Sequence, residues 1–351
     1  MKHEQHTFVL MDGNNLFHRQ ANMTNPAFGI DSMIGMSMHM ILNSMKKEFE
    51  TFAATHAVFF TEGRSWRKSV YPAYKANRAV INAQKTEVEQ ENGRMLIEAF
   101  GELTNYIDQK TNISLVNHPN AEADDMIYMW IALHPNDKHV LISTDSDFIQ
   151  LLRFPNVTIY DPVRDIILRQ DGVYKDGTNE RLAFTITSDA KIKTQGPDPD
   201  FKPDADWYEF ALFLKCIRGD KGDNIFTAYP KVRVKGTKNS VGITEAYNDR
   251  SAQGYSWTNF MLQKWVDHEG VEHRVKDKYE FNRLLIDLSQ IPDDYKAKFT
   301  EAINTVVGRK NVPAPEIGLG FMKFCKTWDL QKIGSYPEQF MPMMKSRYSV
   351  T

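Results

Sequence analysis

Short apolar runs alternate along the first half of the chain with longer stretches whose apolar residues recur every three or four positions, so strands and helices are predicted to alternate. Thr7 to Met11 is such a run, and it stops at Asp12-Gly13-Asn14-Asn15, a turn signature that predicts a loop. His56 to Thr61 is a second run, ending at Glu62-Gly63. Ile113 to Val116, His139 to Ser143 and Val157 to Tyr160 complete the predicted strands, and the run at 139–143 leads directly into Thr144-Asp145-Ser146-Asp147. Between them, Met33, Ile34, Ile41, Leu42, Met45, Phe49 and Phe52 keep helical spacing, as do Met95, Leu96, Ala99, Phe100, Leu103 and Ile107. Ala121 to Leu133 also reads as a helix, with acids in its first turn. Strands separated by helices predict an α/β domain with a parallel, twisted sheet covered on both faces, whose sites lie at the carboxyl ends of the strands. Asp12, Glu62, Asp145 and Asp147 occupy such positions.

The pattern changes further on. Thr187 to Asp206 is rich in Pro, Asp and Lys and reads as a loop or linker. Trp207 to Cys216 is helical, Arg218 to Ser240 is irregular, and Phe281 to Leu288 and Tyr295 to Val307 are the clearest later helices. The expected organisation is an α/β core over residues 1–206, whose segment at about 63–110 opens with the basic and aromatic stretch Arg64 to Arg78 that lacks a clean apolar face, and a mostly helical C-terminal domain over 207–351.

Composition narrows the function. Forty-three Lys and Arg against forty-five Asp and Glu leave a formal charge of −2, so the chain is not a polycation, and any phosphate binding must come from local patches. Two cysteines, Cys216 and Cys325, are too few for a disulfide scaffold and lack metal-ligand spacing, which predicts a reduced, cytoplasmic setting. The opening MKHEQHTFVLMDG is read as neither a secretory signal nor a membrane anchor.

Four stretches supply carboxylates: Asp12; Glu122, Asp124 and Asp125; Asp145 and Asp147; Asp220 and Asp223, with Glu62 a possible addition. Singly, each has a structural explanation as a turn residue, a favourable charge in a first helical turn, or a solvated loop residue. Their joint appearance at strand ends and helix starts is not explained that way. If one sheet edge gathers them, their repulsion demands protons or cations. An all-oxygen ligand set without His or Cys points to magnesium, with manganese as a substitute, rather than zinc. Two such ions would polarise a scissile phosphate and activate a water.

Five motifs then stand in order: Asp-Gly-Asn-Asn at 12–15, Tyr-Lys-Ala-Asn-Arg at 74–78, Glu-Ala-Asp-Asp at 122–125, Ser-Thr-Asp-Ser-Asp at 143–147 and Gly-Asp-Lys-Gly-Asp-Asn-Ile at 219–225. This order resembles the 5′ nuclease (flap endonuclease) superfamily, in particular its ribonuclease H branch from T-even bacteriophages, and the likeness extends to about residue 325. The resemblance implies a PIN-like nuclease core, a helical arch or loop over the active site, and a helix-turn-helix-like module that grips duplex backbone. It implies that Asp12, Glu122, Asp124, Asp125, Asp145 and Asp147 form or support the metal sites and that Asp220 and Asp223 complete the second. Glu62 stands where the family has Asp. Phe226 to Ser240 separates Asp-Asn-Ile from Val241-Gly242-Ile243, so the family's potassium site is not expected to be intact.

Arg64, Trp66, Arg67, Lys68, Tyr71, Tyr74, Lys75 and Arg78 mix cations with aromatic rings, a combination suited to unpaired nucleic acid. Arg67, Lys75 and Arg78 resemble the family's phosphate-steering residues, with Lys75 and Arg78 in the catalytic set. Lys231, Arg233, Lys235 and Lys238 form a second basic patch, expected to contact duplex backbone in place of the interrupted hairpin. The implied activity is 5′-3′ exonuclease or flap-endonuclease hydrolysis of DNA and RNA–DNA hybrids, removing primers and flaps. A single-stranded-DNA-binding protein and a sliding clamp are implied partners, and a monomer is the implied state. The alternatives are a non-catalytic junction binder with a degraded metal site and a PIN-type ribonuclease acting on structured RNA.

Overall fold

The computed structural model describes residues 5–23, 29–231, 234–238 and 240–348. Its centre is a nine-stranded sheet in the order β3-β2-β1-β4-β5-β6-β7-β8-β9. β1 (Thr7–Asp12), β2 (His56–Phe60), β3 (Ser114–Val116), β4 (Lys138–Ile142) and β5 (Val157–Asp161) are mutually parallel. β6 (Ile166–Arg169), β7 (Gly172–Lys175), β8 (Arg181–Ile186) and β9 (Ile192–Pro197) continue the sheet as an antiparallel meander. The meander was not foreseen from the sequence. The expected linker at 187–206 in fact contributes β9, which at the sheet's edge tolerates the Lys and Pro that mark the segment as irregular.

Alternation along the buried strands sends successive side chains to opposite faces. Phe8, Leu10, Val58 and Phe60 join one core with Met126, Ile127 and Trp130 of the helix Ala123–Leu133 and with Phe299, Ile303 and Val307. Val9, Met11, Ala57 and Phe59 join the other with Ile34, Met38, Ile41, Leu42 and Met45 of the helix Ile30–Thr51, and with Leu103, Tyr106 and Ile107 of Glu87–Lys110. The methionine stripe is therefore core packing.

One expectation changes at the end of β1. Residues 13–15 open a helix, Gly13–Met23, rather than a loop, and Asn15 N–H donates to Asp12 Oδ1 at 3.0 Å. Gly13 is required there, because a Cβ would lie 2.3 Å from the Phe59 ring and 2.6 Å from the Phe60 carbonyl oxygen. Between β2 and Glu87–Lys110 the chain forms two short helices, Arg67–Val70 and Ala76–Ala83, and the second buries no residue.

The stretch 207–351 does not form a single helical module. Trp207–Arg218, Ile243–Asn248, Tyr255–Met261 and Val275–Ile286 build a satellite core around Phe213, Leu214, Ile217, Ile243, Phe260 and Val275. From Leu288 onward the chain returns to the sheet: Leu288, Ile291 and Phe299 enter one face, and Ile317, Phe321, Phe324, Met343 and Met344 the other. The reason is apolar periodicity in Asp293–Val307 and Ala314–Thr327, whose faces pack on β3 with Ala123–Leu133 and on Glu87–Lys110, respectively, rather than on each other. No described helix is long and apolar enough to cross a membrane.

Candidate active site

Because β1, β2 and β4 run parallel, their carboxyl ends lie on one edge, and Asp12, Glu62 and the 143–147 turn emerge there together. β3 leads through 117–122 to the first turn of Ala123–Leu133, which adds Glu122, Asp124 and Asp125. Asp220 and Asp223 come from the loop after Trp207–Arg218, closed by reciprocal backbone hydrogen bonds between Asp220 and Ile225 at 2.9 and 2.7 Å.

The charges share one field. Burial pushes the Asp12 carboxyl up to about 7, with like charge from Glu62 and Asp145 adding to it and the Asn14 and Asn15 amides opposing. Burial likewise raises Asp145, where the neighbouring Asp220 adds and Lys215 opposes. Burial also raises Glu62, with Glu122 and Asp223 adding and Lys75 and Arg78 opposing. Asp124 is driven up by burial, and Asp125 and Glu122 add to this against Arg67. Carboxylates that resist ionisation in this way call for cations among them.

Some of those cations belong to the chain. Arg67 is 1% exposed. Its Nη1 donates to Glu122 Oε2 at 3.0 Å and to Asp125 Oδ2 at 3.0 Å, its Nη2 lies 2.9 Å from Asp125 Oδ1, and Asp124 is 3.8 Å away. Arg67 was expected to steer phosphate, but a guanidinium with no open surface cannot, and it serves instead as an internal counter-ion. Asp125 changes role with it. Expected among the ligands, it has no exposed surface and both its oxygens face Arg67.

Glu122 is similarly occupied. Its Oε2 accepts from Ser65 Oγ at 2.8 Å, Arg67 and the Tyr74 hydroxyl at 2.9 Å, while Lys75 Nζ holds Oε1. Burial works against its ionisation, yet Arg67 and Lys75 outweigh that and hold the carboxyl down at about 2. Glu122, Asp124 and Asp125 still form a compact acidic group, with one oxygen from each within 4.8 Å of the others. Asp124 is the member least engaged by the arginine.

Tyr74 is 3% exposed, so its ring is not available for base stacking as expected. Its hydroxyl stands 2.9 Å from Glu122 and 2.8 Å from Asp223, joining the core acids to the later loop. Lys75 adopts a left-handed backbone, φ 56°, and its N–H donates to the Asp223 carbonyl at 3.0 Å. Its ammonium also faces Asp223 at 3.7 Å, and Arg78 Nη2 donates to Asp223 Oδ1 at 2.9 Å. Arg78 keeps an exposed side chain beside Asp223, and Arg64 and Lys68 are exposed. Lys231, Lys235 and Lys238 are exposed as well, while Arg233 lies outside the described residues.

Lys215 escaped the sequence reading. It sits on an apolar helix, where nothing local marks it, yet its ammonium contacts Asp147 Oδ1 and lies 3.1 Å from Asp220 Oδ2. It holds the Asp220 carboxyl below its ordinary range despite burial. Ser65, Asn14 and Asn15 were also missed as supports. Asn14 Oδ1 accepts from the Glu62 N–H at 3.3 Å, and Asn15 Nδ2 donates to Thr144 Oγ1 at 3.4 Å.

Comparison with known proteins gives the same answer as this geometry. The family description of the 5′-3′ exonuclease N-terminal, resolvase-like domain matches residues 7–178. Ribonuclease H of Enterobacteria phage T4 is 24% identical over 292 residues, covering 78% of this chain and 78% of the relative. The flap endonuclease Xni of Aeromonas hydrophila is 34% identical over 126 residues, 34% of this chain and 42% of the relative. Among solved structures, the bacteriophage T5 flap endonuclease with DNA and metal ions aligns with a TM-score of 0.54 at 19% identity, covering 86% of this chain and 98% of that one. The T5 5′-exonuclease with bound zinc aligns with a TM-score of 0.54 at 20% identity, covering 86% and 99%. These structural likenesses speak for the fold. The sheet with its converging acids, the matched N-terminal domain and the phage relatives support the assignment of this chain to the 5′ nuclease superfamily.

Proposed function

We propose that the chain is a divalent-metal-dependent nuclease that hydrolyses phosphodiester bonds from 5′ ends and at 5′ flaps, in DNA and RNA–DNA hybrids, and removes primers and flaps during replication. The observation that carries this reading is the convergence of carboxylates from four separate stretches at one sheet edge, beneath a basic segment. The donor set is all oxygen, which suits magnesium, with manganese as a substitute.

Asp12, Asp124, Asp145 and Asp147 are the proposed ligands closest to the sheet edge, with Glu62 able to reach them through its extra methylene. Asp220 and Asp223 supply the second group. Bound magnesium would polarise the scissile phosphate and lower the pKa of an attacking water. The chain's own cations do the rest. Lys75 and Arg78 present charge beside the acids and are placed to take a phosphate, exchanging a carboxylate partner for it. Tyr74 and Ser65 hold Glu122 in one orientation throughout. Arg64 and Lys68 extend the positive surface along the backbone of an unpaired strand, and Lys231, Arg233, Lys235 and Lys238 are proposed to meet duplex phosphates. A single-stranded-DNA-binding protein and a sliding clamp remain the proposed protein partners, and the working unit is proposed to be a monomer.

The test is incubation with a labelled 5′-flap duplex and magnesium, beside Asp147→Asn and Asp220→Ala. Cleavage by the parent, lost in both variants with binding retained, supports the reading. Binding without cleavage by the parent would leave a junction-binding protein in its place.

A further inference from the structure

Two separate groups of active-site acids are tied to the same short segment, Leu285–Leu288 at the carboxyl end of the helix Val275–Ile286. The first tie is Arg67. The guanidinium that faces Glu122, Asp124 and Asp125 also donates from Nε to the Leu285 carbonyl at 2.6 Å. The second tie is Gln150, 4% exposed, one turn beyond Asp147 in the 3₁₀ helix Ser146–Arg153. Its Nε2 donates to the Asp147 carbonyl at 2.8 Å and to the Ile286 carbonyl at 3.2 Å, and its Oε1 accepts from the Leu288 N–H at 2.8 Å. Both amide hydrogens face carbonyls and the amide oxygen faces an N–H, so a rotated amide would satisfy none of the three.

These contacts join residues 136 to 218 positions apart in sequence. They are buried, so neither side chain can trade its partner for water without leaving backbone groups unmet. Coordination of two ions tolerates displacements of only about half an ångström in the ligand shell. Two ligand groups from different parts of the core need a common reference to hold that tolerance.

Building on the nuclease reading above, we propose that Arg67 and Gln150 are positioning residues that register the Glu122-Asp124-Asp125 group and Asp147 against the end of Val275–Ile286. The metal-holding acids and the satellite module then share one frame. Neither residue touches substrate in this scheme; Arg67 acts through the carboxylates it faces and Gln150 through the main chain of Asp147.

The experiment titrates manganese into the full chain without DNA, by calorimetry, alongside flap-duplex affinity in calcium and single-turnover cleavage in magnesium. Gln150→Met keeps the volume and removes all three hydrogen bonds. It is expected to weaken manganese binding and slow cleavage by roughly 10- to 100-fold, the range for residues that orient metal ligands, with flap affinity unchanged. Arg67→Lys keeps the charge and loses the link to Leu285, and is expected to shift both in the same direction. Arg153→Met is the control: it breaks the 3.2 Å contact of Nη1 with Asp287 in the same segment, without reaching an active-site acid. Its manganese affinity is expected to match the parent. Parent-like manganese affinity in both Gln150→Met and Arg67→Lys would overturn the proposal, and so would an equal loss in Arg153→Met. If the parent cut no flap, the function would be wrong, while the manganese series would still decide the positioning.

Discussion

The two ends of the same parallel strands solve one electrostatic problem in opposite ways. At the carboxyl ends, loss of solvation pushes Asp12, Asp124 and Asp145 toward their neutral forms, although of the three only Asp12 is buried. At the amino ends, His56 and His139 are buried, and burial pushes them toward neutrality as well, down to about 3 and about 4. The histidine end accepts that outcome. Neutral imidazoles hydrogen-bond to Ser114 Oγ and the His134 carbonyl and pack among rings, with Tyr348 4.8 Å from Phe8 and 5.1 Å from His134. The acid end resists it in part: Arg67 and Lys75 keep Glu122 charged and Lys215 keeps Asp220 charged, while Asp12, Asp124 and Asp145 stay raised and call for further cations. One end of the sheet is built for stability, the other for holding charge that stability alone would not tolerate.

The largest effect that tests this contrast is Phe8→Ala. Phe8 is fully buried at the centre of the histidine end, and its loss should cost about 3–5 kcal/mol of unfolding free energy. Denaturant melts should show this with the cleavage rate of the folded fraction unchanged. A matching loss of rate would mean that the two ends are not independent.

Asp12→Asn should do the reverse. Cleavage is expected to fall roughly 10²- to 10³-fold, the cost of removing one preorganised electrostatic group. Since the folded protein favours protonated Asp12, the charged form weighs against folding once pH rises past 3.8 and fully so above about 7. The metal-free melting temperature at pH 8 should therefore rise in the variant, and a lower one would contradict the picture of repelling acids.

Acidification should act on the two ends with opposite signs, because Asp12, raised to about 7, takes its proton readily in the folded state while the histidines resist theirs. His56 and His139 have folded values below the ordinary 6.5, so the unfolded chain binds the extra protons. Their contribution is complete above about pH 6.5 and is lost as pH falls toward 4 and 3, by about 1.4 kcal/mol per pH unit for each histidine. The histidine part is read by difference: the stability advantage of the parent over His139→Phe should shrink by about 1.4 kcal/mol per pH unit between about pH 6.5 and 5, and a constant difference would contradict it. The smallest effect belongs to Arg78→Ala. Its half-exposed side chain should leave stability within about 0.5 kcal/mol of the parent, while the salt dependence of flap binding should fall by about one phosphate contact.

Much of the architecture was legible in the residues. Runs such as His56–Phe60 and Lys138–Ile142 are apolar on both faces, which only a covered parallel sheet explains, and the five acidic and basic motifs kept their order. The antiparallel strands Ile166–Pro197 were missed because short strands broken by charged turns carry little periodicity. The split of the C-terminal region was missed because an apolar helical face does not say which surface it will cover. Lys215 was missed for the same reason, since its importance lies in Asp147, 68 residues away.

Amino-acid order alone determined the chemistry: which carboxylates exist, and that strands would deliver several of those acids to one edge. Tertiary structure decided which acids are free. Glu122 and Asp125 look equivalent to Asp124 along the chain, but a single guanidinium, buried among them, occupies two and leaves the third. Pairing of that kind depends on distances between residues far apart in sequence, and Coulomb energy in a dry interior changes steeply with those distances.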